Sequence, residues 1–222
     1  MRKITIAIDG PAASGKSTVA KKVAKALDYI YIDSGAMYRA LTLKALKSKI
    51  NVYDEESLVE MTKNAKIEIK DHRIYLDGED VSEAIRGIDV TNNVSTVCSY
   101  EGVRKEMVEL QKSYGGIGGI VMDGRDIGTT VFPNAELKIF QIASVEQRAQ
   151  RRFLENTAKG IACDLEVLKK EIEERDYKDS TREISPLRKA SDAIVLDTSF
   201  LTPEEAVQKI VDLAKEIIER ED

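Results

Sequence analysis

The 222-residue chain has two cysteines, one histidine, four prolines and no tryptophan, and each shortage excludes something. Cys98 and Cys163 stand far apart, with no partner at metal-ligand spacing. Neither a disulfide framework nor a zinc site is therefore expected; a reducing cytosol fits, with each thiol a small buried side chain. The single histidine, His72, falls in a polar turn, so no histidine is expected to serve as a general base. No apolar run reaches the roughly 18 residues of a membrane span. The apolar stretch within MRKITIAIDG is too short for a secretory leader and runs straight into a glycine loop. A basic excess is also missing: 34 Lys and Arg against 39 Asp and Glu leave a net charge of −5, which argues against nucleic acid as a ligand.

What the chain does have is 42% apolar and 33% charged residues, enough for one α/β core with smaller excursions and a charged surface. Lys3–Asp9 (KITIAID) is a β-branched run that stops at glycine, the signature of a buried strand. From Lys16 the pattern turns helical, with Val19, Val23 and Leu27 on one face. Tyr29–Ile32 reads as a second strand and Gly35–Lys47 as a second helix. This alternation predicts a parallel sheet covered by helices on both sides.

The rhythm then changes. After a helix over Glu55–Lys63, Lys66–Lys70 and Arg73–Asp77 alternate at period two about Asp71-His72, an antiparallel hairpin foreign to a doubly wound sheet. Helices are expected at Asp89–Cys98 and Val103–Tyr114, and core strands at Ile120–Asp123, Leu137–Ile142 and Ala193–Leu196. A charged helical region covers Ser144 to about Arg182, broken near Lys159-Gly160. Thr202 is placed to cap a terminal helix with Pro203 at its first position. The run Gly115-Gly116-Ile117-Gly118-Gly119 fails dinucleotide spacing and reads as a flexible connector.

The strongest chemical signal is Gly10-Pro11-Ala12-Ala13-Ser14-Gly15-Lys16-Ser17, which matches G-x-x-x-x-G-K-[ST] between a strand and a helix. Backbone N–H groups of such a loop converge on phosphate oxygens at the positive end of the helix. Lys16 is expected to reach the β- and γ-phosphates and Ser17 to ligate Mg²⁺. Thr18 completes the loop. Such a loop binds a nucleoside triphosphate without naming an acceptor. No N/T-K-x-D guanine motif is present, which argues against a switch GTPase.

Three further clusters bear on the acceptor: Asp33-Ser34-Gly35-Ala36-Met37-Tyr38-Arg39, Asp123-Gly124-Arg125-Asp126-Ile127-Gly128-Thr129, and the arginines Arg148, Arg151, Arg152, Arg175, Arg182 and Arg188. The first two follow strands, where ligands of open parallel sheets bind. Each also has a plainer reading: a turn with a helix cap, a turn closed by an internal ion pair, and a solvated helix face.

With these residues in order, the sequence resembles the bacterial cytidylate kinase family of P-loop nucleoside-monophosphate kinases. The resemblance rests on IDGPAASGKST, YIDSGAMYR, MDGRDIGTTVFPNAELKIF, ERDYKDSTREISPL and SDAIVLDTS. It implies an α/β P-loop three-layer fold with a central parallel five-stranded sheet, a small antiparallel inserted NMP-binding subdomain and a helical lid. One kinase domain is expected over 1–222: core about 1–64, 88–150 and 183–222, insert about 65–87, lid about 151–182. The implied reaction is γ-phosphoryl transfer from ATP, with Mg²⁺, to CMP or dCMP.

By the same resemblance Ser34, Ser95, Arg104 and Asp126 line the cytosine pocket, Arg175 and Asp179 hold the ribose, and Arg39, Arg125 and Arg182 grip the CMP phosphate. Arg151 joins the ATP site, and Lys16, Arg39, Arg125 and Arg182 are the catalytic set. Ser95 and Arg104 are selected by the resemblance alone; read singly they sit on ordinary helices as a solvated face. Asp33 and Asp123 are candidates to hold Mg²⁺ through water, Asp123 as a Walker B carboxylate. No nucleic acid or membrane partner is expected, and a monomer is. A kinase for UMP or a nucleoside and an acceptor-free ATPase switch are the alternatives.

Overall fold

The computed structural model describes residues 2–70, 73–115 and 118–220. The expected turn at Asp71-His72, with the only histidine, lies outside the described residues, as do Gly116 and Ile117. In chain order the elements are β1 (Thr5–Asp9), α1 (Lys16–Leu27), β2 (Ile30–Asp33), α2 (Ser34–Lys47) and α3 (Glu55–Lys63). Next come β3 (Ile67–Lys70), β4 (Arg73–Leu76), β5 (Glu79–Asp80), α4 (Ile88–Val97) and α5 (Glu101–Ser113). Then follow β6 (Ile120–Gly124), β7 (Leu137–Ile142), α6 (Val145–Ala158), α7 (Leu165–Thr181), β8 (Ile194–Asp197) and α8 (Pro203–Arg220). A 3₁₀ turn covers Ala84–Arg86 and a π-helical turn Ile127–Val131.

The five-stranded sheet runs β2-β6-β1-β7-β8. β1 pairs in parallel with β6 and β7, and β7 in parallel with β8. The chain divides into two compact units, Met1–Tyr31 with Ile117–Asp222 and Ile32–Gly116.

In the first unit, Ile4, Ile6 and Ile8 send alternate side chains into a cluster with Val19 and Val23 of α1 and Ile210 and Ala214 of α8. Period two places Asp9 on the opposite face from Ile8. Register sets the carboxyl ends of the strands together, with Ile8 opposite Asp123 and Asp9 opposite Gly124 and Phe140. The α8 start is a capping box: the Glu205 N–H donates to Thr202 Oγ1, and Glu205 Oε2 accepts from the Thr202 N–H. α6 and α7 close a small cluster of their own around Ala149, Leu168 and Ile172. The glycine run is less of a free connector than its composition suggests. The Gly119 N–H donates to Ile4 O, and a Cβ on Gly118 (φ 70°) would lie 2.4 Å from Lys3 O.

In the second unit, the expected hairpin is a three-stranded sheet, β3-β4-β5. The two-residue strand β5 pairs through Tyr75–Asp80 and Leu76–Glu79 and is too short to show periodicity. α2 packs on α4, and α3 on α5. At the latter contact a Cβ on Gly102 would lie 2.4 Å from a Val59 methyl, so the helices approach only because that position is glycine. The thiols differ from expectation: Cys98 and Cys163 are half-buried rather than fully buried.

Candidate nucleotide-binding site

The loop between β1 and α1 has the geometry of an anion cradle. Ala13 (φ 58°) and Gly15 (φ 82°) take left-handed backbone, and a Cβ on Gly10 would sit 2.1 Å from the Gln141 carbonyl oxygen of β7. No side chain caps α1 at Gly15 and no acidic residue enters its first turn, so the positive helix end stays open toward the loop. Lys16 is buried, its Nζ donating to Pro11 O at 3.1 Å. Burial pushes its pKa down to about 7, helped by Arg125 and Arg175 and opposed by Asp123 and Asp179.

Ser17 Oγ donates to Asp123 Oδ2 at 2.7 Å, and Tyr31 Oη donates to Asp123 Oδ1 at 2.8 Å. This hydroxyl–carboxylate pair suits a hard divalent cation that keeps most of its ligands as water and phosphate. Among the described residues no cluster of three acidic, histidine or cysteine side chains forms an all-protein cage. The geometry thus fits Mg²⁺ arriving with a nucleotide. Asp33 is the N-cap of α2, its Oδ1 accepting from the Ala36 N–H at 2.8 Å.

A buried carboxylate organises the other side of the strand ends. Asp9 Oδ1 accepts from the Ile127 N–H at 2.8 Å and Oδ2 from the Gly128 N–H at 2.7 Å. The two bonds fix the turn that carries Arg125 and Asp126. Burial raises the Asp9 pKa to about 6 although both N–H groups favour the ionised form. The native state therefore binds this proton more tightly than the unfolded chain, and its contribution falls as pH rises from about 4 to about 6. Asp9→Asn sets an amide NH₂ against one of the two backbone donors. The expected result is a loss of about 1–3 kcal/mol near pH 4 from one orphaned N–H, offset at pH 7 by removal of the buried charge. Melting curves across pH 4–7 would also lose that dependence; an unchanged profile would remove Asp9 from this role.

Arg125 reaches across the unit. Its Nε donates to Asp179 Oδ2 of α7 at 2.7 Å. Arg182 lies 3.7 Å from Asp126 and 3.9 Å from Asp179, with its guanidinium also donating to Ser185 O. Burial opposes the Asp179 charge, but Arg125, Arg175 and Arg182 together hold its carboxyl below the usual range. Four sequence-selected residues, Arg125, Asp126, Asp179 and Arg182, thus form one charge network, its carboxylates buried and its arginines part-buried, with Arg175 acting on it electrostatically. Arg148, one of the clustered arginines whose plainer reading is a solvated helix face, is buried: Nη1 donates to Ala12 O and to Asp176 Oδ2. Asp176 Oδ1 in turn accepts the Ala12 N–H at 3.2 Å.

Beside the loop lies a cavity of about 250 Å³ whose walls include Ala13, Thr18, Gln141, Arg151, Thr198 and Pro203. Arg151 reaches Ser14 O and Thr198 O, which fixes one wall. Arg188 is exposed.

In the second unit, Arg39 donates through Nη1 to Thr91 Oγ1 at 3.0 Å, bridging α2 and α4. Arg104 is 2% exposed, not a solvated face; its guanidinium stacks 5.4 Å from the Tyr38 ring and donates to Cys98 O. Ser34 is buried at the start of α2, and Ser95 is half-buried on α4.

The sequence profile of the family described as Cytidylate kinase matches residues 6–216. A cytidylate kinase from Enterococcus faecalis is 57% identical over 220 residues, 97% of each chain. One from Bacillus cytotoxicus is 55% identical over 99% of each. The chain belongs to the cytidylate kinase family. Among solved structures, an uncharacterized protein from Eubacterium ventriosum superposes with TM-score 0.53 at 12% identity, over 96% of this chain and 99% of that one, a likeness of fold alone.

Within this family member, several residues of the site were given no role by the sequence: Asp9, Asp176 and Thr198 lie inside the matching segments, and Gln141 just outside them. Asp9, Asp176, Gln141 and Thr198 are common residue types at ordinary places. Their contacts span 118 residues for Asp9–Ile127, 164 for Ala12–Asp176 and 127 for Ser14–Gln141. One faint signal existed for Asp9 and Gln141: a polar side chain inside an apolar strand asks for a buried partner.

Proposed function

We propose that the chain transfers the γ-phosphoryl group of ATP to CMP or dCMP, giving ADP and CDP or dCDP. A CMP phosphate oxygen attacks the γ-phosphorus in line, and the bond to the β–γ bridging oxygen breaks as ADP leaves. The acceptor phosphate needs no protein base, because its second pKa near 6 leaves it largely a dianion at about pH 7. The observation that carries this reading is a glycine-dependent anion cradle beside the Arg125–Asp179–Arg182 network in a family member.

The residues of the chain act by position and charge. The loop Gly10–Thr18, with Arg151 and the adjoining cavity, receives ATP; Lys16 neutralises the β- and γ-phosphates. Ser17 and Asp123 are assigned to hold Mg²⁺, Asp123 through water, with Asp33 a further candidate. When bound, the ion supplies charge neutralisation on the phosphate oxygens. Arg39, Arg125 and Arg182 are assigned to the acceptor phosphate, where arginine forks bond bidentately and stay charged. Arg175 and Asp179 are assigned to the ribose.

Ser34, Ser95, Arg104 and Asp126 are assigned to the base. Cytosine offers an N4 amine that a carboxylate accepts and N3 and O2 acceptors that need a donor such as a guanidinium. Uracil inverts the first two, leaving buried groups unpaired, which discriminates by about 10⁴ in favourable sites. The segment 151–182 is assigned to a lid over the phosphates, within a single kinase domain whose NMP insert is about 65–87. A cytosolic monomer is proposed; two cysteines far apart in the sequence suit that compartment.

The deciding experiment follows ADP formation from ATP and Mg²⁺ without acceptor and then with CMP, dCMP, UMP, AMP, GMP and dTMP. Turnover with CMP and dCMP well above the blank is expected. Preference for UMP would move the assignment to another acceptor, and acceptor-independent hydrolysis would end the kinase reading.

A further inference from the structure

The Ser14 carbonyl is the most heavily engaged oxygen of the phosphate loop. It accepts from Gln141 Nε2 at 2.7 Å and from Arg151 Nη1 at 3.4 Å, and it shares the single Thr198 O–H, whose Oγ1 stands 3.4 Å from it and 3.1 Å from Ile142 O. In a planar trans peptide the carbonyl and the following N–H point opposite ways, and the described chain holds no cis bond. Pinning Ser14 O toward β7 and the segment after β8 therefore turns the Gly15 N–H to the other side. Gly15 already takes the left-handed backbone (φ 82°) that this orientation uses.

Two more loop carbonyls are held by cations: Pro11 O by Lys16 and Ala12 O by Arg148. A carbonyl released from its donor is free to turn inward, where it repels an anion and removes an N–H from it. We propose that Gln141 and Thr198 are positioning residues for the phosphate cradle, aiming the Gly15 N–H at the donor's phosphates by holding Ser14 O away from them. The proposal rests on the ATP-binding reading above.

Gln141 also makes little sense as a stabilising residue. It is wholly buried on β7, and its Oε1 has no partner among the described residues. Burying one orphaned acceptor costs as much as the single amide bond returns, so a leucine would serve packing better. The amide is explained by what it does to Ser14.

The test uses the full chain and the variants Gln141→Leu, Thr198→Val and Thr198→Ser. Inorganic tripolyphosphate is the probe, since it has phosphates and no base. Calorimetric titration is expected to show Gln141→Leu and Thr198→Val each weakening tripolyphosphate by about three- to tenfold. KM for ATP should rise in step while KM for CMP and the melting temperature hold. Thr198→Ser, which keeps the hydroxyl, should bind like the parent. Unchanged tripolyphosphate affinity in both variants would overturn the proposal. So would a loss that tracks a lowered melting temperature, since that is a packing defect. If the parent chain bound neither tripolyphosphate nor ATP, the nucleotide reading itself would fall, and this proposal with it.

Discussion

Lys16→Met is expected to lower kcat by about 10²- to 10³-fold while leaving the fold intact. The methionine keeps the buried stem and removes only the ammonium, which donates to Pro11 O and lies among Arg125, Arg175, Asp123 and Asp179. Burial and the two arginines bring its pKa to about 7 without nucleotide. The charge that transfer needs is therefore only partly present until phosphates arrive. ATP binding at pH 8 should draw a proton onto Lys16, seen calorimetrically as an enthalpy that depends on the buffer's ionisation heat.

The sign of the stability effect follows from the same shift. The unfolded chain keeps the Lys16 proton to about 10.5 and the native state to about 7, so the unfolded state binds more protons between them. In that window the Lys16 contribution makes stability rise with pH, and Lys16→Met should flatten the rise. A methionine variant with normal turnover, or with unchanged proton uptake, would show that Lys16 does not carry this charge.

The second large effect is on stability. Asp179→Ala removes the carboxylate that Arg125 contacts at 2.7 Å and Arg182 at 3.9 Å, with Arg175 adding to the same field. Breaking a buried pair from one side leaves uncompensated charge, at a cost of about 3–5 kcal/mol. For a chain of this size that is about 6–20 °C in melting temperature. Inorganic phosphate should stabilise the variant more than the parent, because an anion there replaces the missing charge.

Acid behaviour gives a second check. The Asp179 carboxyl is held below its ordinary value near 3.8, so its contribution is complete above that pH and is lost as pH falls through the lower folded value. The variant should lack this acid limb. A melting change under about 2 °C, less than 1 kcal/mol, would mean that Asp126 and Asp176 already balance the arginines.

Elements longer than one period of their own pattern were legible in the sequence. KITIAID, the α2 stripe of Met37, Leu41 and Ala45, and the Thr202-Pro203 start of α8 all stand where the pattern put them. β5 and the π-helical turn Ile127–Val131 were not, since two residues carry no period and a π turn has no composition of its own. Within the site, Gly10–Ser17 could be read because tight approach and positive φ demand glycine, as the 2.1 Å distance at Gly10 shows. Arg104 and Arg148 could not: on one helix a buried arginine and a solvated one look the same until the opposing element is in place.

The sequence by itself determined the phosphate loop, the order of strands and helices, and the family, because each rests on local spacing or on residues matched in order. Only the tertiary structure decided which carboxylate meets which arginine, that Asp9 fixes the turn after β6, and that Gln141 and Thr198 hold Ser14. Those are long-range contacts between unremarkable residue types. Their meaning comes from burial, which makes each unpaired charge or N–H costly and so dictates its partner.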